Sequence, residues 1–124
     1  MIYFISGHRD LTTEEFVEHY VPLIHKVIKE DSQAAFVVGD WEGCDSMFVQ
    51  YMEAFYSKVP IVIFYVDILR IKEGKFNIYD FRECVNYYEC DATMTLCSHF
   101  DIAWIRPGRE NSHTANNIRR RYGL

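Results

Sequence analysis

Three short stretches set glycine beside acidic, basic and imidazole side chains: "SGHRD" at residues 6–10, "GDWEGCD" at 39–45 and "RPGRENSHT" at 106–114. Glycine lets the backbone approach a bound group closely. Each stretch runs into a segment patterned as a helix, and a helix N-terminus leaves unpaired N–H groups and a partial positive charge, which suits phosphate. Arg9 and Arg109 add guanidinium forks that hold phosphate oxygens two at a time. Alone, each arginine reads equally well as half of a surface ion pair. His8 and His113 carry imidazoles able to donate to an anion or to exchange a proton near neutral pH.

Asp40, Glu42 and Asp45 need another partner, because a carboxylate beside a phosphate is repelled. Vicinal ribose hydroxyls are donors that a carboxylate accepts, so Asp40 or Asp45 on a sugar, with phosphate on neighbouring N–H groups, accounts for the mixed composition. Asp45 also reads as the N-cap of the helix that follows, and Asp40 as a turn former. Trp41 has little core to fill inside such a turn; it either stacks on a base or packs against a neighbouring helix or a second subunit.

The elements that must position these loops alternate. "IYFIS" (2–6) is a continuous apolar run suited to a strand covered on both faces. Thr12 followed by Glu15 is a capping-box pattern that opens a helix whose core face is Phe16, Tyr20, Leu23, Ile24 and Val27. Pro22 falls inside it and predicts a bend or restart near 20–22, since an interior proline costs about 3 kcal/mol. "AAFVVG" (34–39) is a second strand, followed by a helix with Phe48, Tyr51, Met52 and Phe55 inward. "VPIVIFYV" (59–66) is a third strand. Residues 67–85 read as a small hairpin turning at Glu73-Gly74 or as an irregular excursion. A helix over 91–100, a strand over 101–105 and a last helix over 113–122 complete the order. Strands alternating with helices predict an α/β three-layer sandwich, 1–124 as one domain, with a mainly parallel sheet of four to five strands. Ligands in such sheets sit at the carboxyl ends of the strands, where the winding reverses.

Composition narrows the function. A net charge of −5 speaks against wholesale binding of nucleic acid, and Arg119-Arg120-Arg121 reads as a complement to a helix C-terminus. No segment reaches the roughly 18 apolar residues of a membrane span, and the N-terminus lacks a secretory pattern, so the expected setting is cytoplasmic. Cys44, Cys84, Cys90 and Cys97 are then expected as reduced thiols. Cys84, Cys90, Cys97 and His99 have no zinc-ligand spacing, and neither metal nor cofactor is expected. An aromatic share of 16% in so small a chain makes a homodimer or higher homo-oligomer the expected assembly.

Together, "ISGHRDLTTEEF", "FVVGDWEGCD" and "DATMTLCSHFDIAWIRPGRENSHTANNIRRR" resemble the SLOG superfamily of Rossmann-like domains, which includes the Lonely Guy phosphoribohydrolases and the DNA-processing protein A fold; small prokaryotic and phage proteins of that group are the nearer likeness. The resemblance covers most of the chain outside 67–85. It implies one nucleotide pocket lined by Gly7, His8 and Arg9, by the 39–45 turn with Gly39, Asp40, Gly43 and Cys44, and by the Gly108–Thr114 loop with Arg109, Ser112 and His113. It also implies N-glycosidic hydrolysis or transfer. Two departures bear on that chemistry. His113 stands where the Lonely Guy signature PGGxGTxxE has a glycine, with Asn116 or Asn117 at its glutamate, and Cys90-Asp91 stands where an arginine is usual. An amide cannot take a proton as a carboxylate does. Asp45 and Glu110 are therefore the candidate catalytic acids, and a sensor or sequestering protein that binds without turnover is the alternative.

Overall fold

The computed structural model describes residues 1–66 and 80–123. The chain order is β1 (Ile2–Ser6), α1 (Thr13–His19), α2 (Val21–Glu30), β2 (Ala35–Gly39), α3 (Cys44–Phe55), β3 (Ile61–Tyr65), β4 (Asp80–Glu83), α4 (Tyr87–Cys97), β5 (Phe100–Ala103) and α5 (His113–Arg121). The five strands form one sheet in the order β4-β3-β2-β1-β5. Every neighbouring pair is parallel, with Phe4 opposite Val37 on one side and Asp101 on the other. This is an α/β Rossmann-like sandwich.

Alternation along the strands separates the two cores. Ile5, Phe36, Val38, Ile61 and Ile63 pack with Phe16, Tyr20, Ile24, Phe48 and Met52 of α1, α2 and α3. Phe4, Val37 and Phe64 face the opposite way and pack with Cys84, Cys90 and Met94. Helices α1, α2 and α3 cover the first face as the strand order runs outward from β1 to β3, and α4 crosses back on the second face to place β5 beside β1. Right-handed crossovers require that change of face. The winding reverses between β1 and β5, which marks the carboxyl ends of those strands as the ligand crevice.

Local signals act as the sequence predicts at the first helix. Thr12 accepts from the Glu15 N–H at 3.1 Å while the Glu15 carboxylate accepts from the Thr12 N–H at 2.9 Å. Pro22 lies in the first turn of α2, so the helix restarts there and the missing proline N–H leaves no gap.

Several expectations change. Leu23 and Phe55, placed on core faces by helical spacing, are exposed, because each lies at the edge of its helix's apolar stripe. The helix expected over 91–100 starts earlier, at Tyr87, because Asn86 caps it by accepting from the Glu89 N–H at 2.8 Å, and it ends at Cys97. The cysteines are not four thiols. Cys84 and Cys90 are joined in a disulfide, with Cα atoms 5.5 Å apart, because the turn from β4 into α4 folds one onto the other. Cys44 and Cys97 remain thiols. Within 67–85, β4 supplies one strand; the Glu73-Gly74 turn lies outside the described residues. Among the described residues, no helix is long and apolar enough to cross a membrane.

Candidate functional site

The loops after β1, β2 and β5 surround one cavity of about 630 Å³ at the carboxyl edge of the sheet. Of the residues singled out by sequence, Gly7, His8, Arg9, Gly39, Asp40, Asp45, Arg109, Ser112, His113 and Thr114 line it. Its size falls within the range of small-molecule sites.

Glycine is required where the first two loops meet. Gly43 has φ +70° and its Cα abuts the main chain of His8 and Arg9, so any Cβ would collide with their carbonyls. That close approach lets the Cys44 N–H donate to the His8 carbonyl at 3.2 Å, which uses one of the free N–H groups of α3. At Gly7 a Cβ would fall 2.5 Å from both the Cys44 Sγ and the Tyr20 Oη. Tyr20 needs that space, because its buried hydroxyl donates to the Ser6 carbonyl at 2.7 Å and accepts from the Trp104 N–H at 3.0 Å. Tyrosine therefore joins the ends of β1 and β5 beneath the crevice.

The third loop is tied to the first by ions and by an imidazole. The Arg106 guanidinium donates to Glu15 at 2.6 and 2.9 Å and to Asp10 at 3.1 Å. Asp10 also pairs with Arg109 at 2.6 Å. Glu15 is held down to about 2 by its hydrogen bond to Arg106 and by the Thr12 N–H. His8 is buried, and its Nε2 accepts from the Arg106 N–H at 2.8 Å. Burial, then the charges of Arg109 and Arg106, lower its pKa. The ring is thus neutral at pH 7 with its proton on Nδ1, leaving a donor and not a switchable acid.

On the opposite wall, the Arg9 guanidinium lies 4.3 Å from the Trp41 ring centroid, and Tyr87 meets the same ring edge-on at 4.5 Å. Trp41 is therefore packed between the first loop and α4 as part of the wall. Asp45 closes its own turn, accepting from the Trp41 N–H at 3.1 Å. The α3 N-cap is Gly43, not Asp45. At the start of α5, Ser112 caps the helix by accepting from the Ala115 N–H at 3.2 Å, and Ser112, His113 and Thr114 bring that positive helix end to the cavity.

Four expected site residues stand elsewhere. Cys44 is fully buried behind Gly7, where burial pushes its thiol pKa up. Gly43 supports the loops from outside the lining. Gly108, at φ +89°, and Glu110 form an exposed turn in which the Glu110 carboxylate accepts from the Gly108 N–H at 3.1 Å. Of the two candidate acids, only Asp45 reaches the cavity.

Ser6, Asn117 and Asp91 also line the cavity, although the sequence assigns them no ligand role: Ser6 opens the first stretch, Asn117 is one of two positions set against the family glutamate, and Asp91 stands where an arginine is usual. Ser6 is buried, and its Oγ has no hydrogen-bond partner among the described residues. Asn117 is buried and accepts from Arg120 at 2.7 Å. Asp91 lines the cavity from α4, and burial pushes its pKa up to about 6 against the charges of Arg120 and His113. The signal for Asp91 was the spacing of Tyr87, Asp91 and Met94, which share one helical face once the helix starts at Asn86. Arg119-Arg120-Arg121 is spent on packing: Arg121 holds Asp101 at 2.8 and 3.0 Å, and Arg120 lies 5.4 Å from the Tyr88 ring centroid. Among the described residues, no three His, Cys, Asp or Glu side chains gather as metal ligands. Comparison with protein-family models, curated proteins and solved structures found no match.

Proposed function

We propose that this cavity binds a nucleotide or another small molecule derived from a nucleoside phosphate. The observation that carries this reading is the meeting, at the reversal of winding beside β1, of an α5 N-terminus and two arginines with the carboxylates Asp40 and Asp45. Helix N–H groups, Arg9 and Arg109 suit phosphate; carboxylates suit ribose hydroxyls. The likeness of the three loops to SLOG domains points the same way. In its catalytic form, the reaction is hydrolysis or transfer at the N-glycosidic bond, with Asp45 as the acid within reach.

A second reading, a sensor or sequestering protein that binds without turnover, is favoured by one contact. Asp45 already accepts from the Trp41 N–H, so its carboxylate serves the turn. Both readings keep the cytoplasm as the proposed setting.

A thermal-shift series with nucleoside monophosphates and ribose 5-phosphate tests binding. Saturation at 100 times Kd stabilises by about 2.7 kcal/mol, and the absence of any shift at millimolar concentration rejects both readings. Chromatography of released base separates them: release abolished by Asp45→Asn supports the enzyme, and binding without release supports the sensor.

A further inference from the structure

The cavity has two chemically different parts. Arg9, Arg109 and the α5 N-terminus mark a polar mouth. Deeper, on the face of the sheet covered by α4, the lining is the buried, apolar Phe4, Phe64 and Met94. Two polar side chains interrupt it. Ser6 follows Phe4 by the two-residue period of β1, so it lies on the same face, and its buried Oγ has no partner among the described residues. Asp91 approaches from α4.

We infer that Asp91 reads the base of the bound ligand: its carboxyl pairs with a ring-nitrogen acceptor that stands beside an exocyclic amine, the edge shared by adenine and cytosine. This rests on the cavity being a nucleoside-phosphate site. A neutral carboxyl offers one O–H donor next to one carbonyl acceptor, which matches that edge. An ionised carboxylate offers two acceptors and matches guanine, whose edge presents two donors.

Burial pushes the Asp91 pKa up to about 6, so the acid form that matches adenine and cytosine prevails below that pH and the carboxylate above it. His113 and Arg120 on α5 are the charged groups that act on it, and Asp40, Asp45 and Arg9 line the same cavity. Burial favours the proton on Asp91 and outweighs the two cations, which oppose it.

The test is calorimetry with adenosine, cytidine and guanosine 5′-monophosphates at pH 5.5 and 7.5. The ligand phosphate titrates in the same range, so ribose 5-phosphate is the reference, and the readout is each nucleotide's affinity relative to it. The expected result is a relative affinity for the adenine and cytosine nucleotides about tenfold higher at pH 5.5, with no such gain for guanine. Asp91→Asn mimics the neutral acid, so it binds the adenine nucleotide at both pH values as the unchanged protein does at 5.5. A flat ratio in the unchanged protein, or an Asp91→Asn protein that keeps the pH dependence, overturns the inference. Ribose 5-phosphate binding as tightly as every nucleotide at both pH values overturns the base assignment and leaves the nucleoside-phosphate reading standing. Failure of all four ligands to bind overturns both.

Discussion

The backbone N–H of Arg106 donates to the Nε2 of His8 at 2.8 Å, joining residues 98 apart in sequence. The bond requires an unprotonated Nε2. A charged imidazole would set a donor against a donor, in a buried position already flanked by arginines.

The pH dependence follows from that relationship. The native pKa of His8 is below the ordinary 6.5, so on acidification the unfolded chain takes up this proton first. The contribution is fully present above 6.5 and is lost as pH falls below it. His8→Asn keeps an acceptor and removes the titration. Chemical denaturation from pH 8 to pH 5 is expected to show a steeper loss of stability in the unchanged protein than in His8→Asn.

The Arg106 clamp acts in a lower window. Its bond to Glu15 holds that carboxyl at about 2, below the ordinary 4.5, so the stabilisation is present above 4.5 and is lost as pH falls toward 2. Arg106→Gln is expected to lower Tm at pH 7 and to flatten the acid limb between pH 4.5 and 2. Arg106→Lys recovers little of the loss, because a single ammonium cannot reproduce the two-pronged contact with Glu15.

Ser6 separates stability from binding. Its buried hydroxyl forfeits hydration without a partner, so Ser6→Ala removes a desolvation cost and is expected to raise stability by about 1 kcal/mol. Because the Oγ is shielded from solvent in the empty cavity, the same change is expected to leave ligand binding unchanged. Denaturation midpoints and calorimetry on one sample check both outcomes.

The disulfide has a measurable weight. Closing the short loop from Cys84 to Cys90 restricts the unfolded chain by about 2 kcal/mol in the chain-entropy account. Reduction with a dithiol is expected to lower Tm by roughly 5–10 °C. Cys84→Ser is expected to melt near the reduced protein and to ignore the reductant. Thiol titration under denaturing conditions should then rise from two groups to four on reduction, matching the two free thiols and one bridge.

Much of the scaffold is legible from short-range pattern. Thr12 and Glu15 start α1 because two side chains satisfy two backbone N–H groups within one turn, and Pro22 divides the helix because the ring admits no hydrogen bond at that point. "IYFIS", "AAFVVG" and "VPIVIFYV" are strands buried on both faces, and continuous apolar runs between helices imply a parallel sheet. The boundary of α4 was harder to read because Asn86 lies among aromatic residues that carry no periodic apolar face.

What the sequence by itself determined was the set of elements apart from β4 and the start of α4, together with the three loops that end its strands, since these depend on residues within one or two turns of each other. The tertiary structure decided which of those loop residues share a space. Strand order returns β5 to the side of β1, so Arg106 meets His8 and Glu15, and Tyr20 bridges Ser6 and Trp104. Glu110 turns outward to its own loop and Cys44 inward to the core, while Ser6 and Asp91, to which the linear chain assigns no ligand role, come to line one cavity. The physical reason is that burial and partner choice are properties of neighbouring strands and helices, and those neighbours are set by long-range pairing that no local spacing encodes.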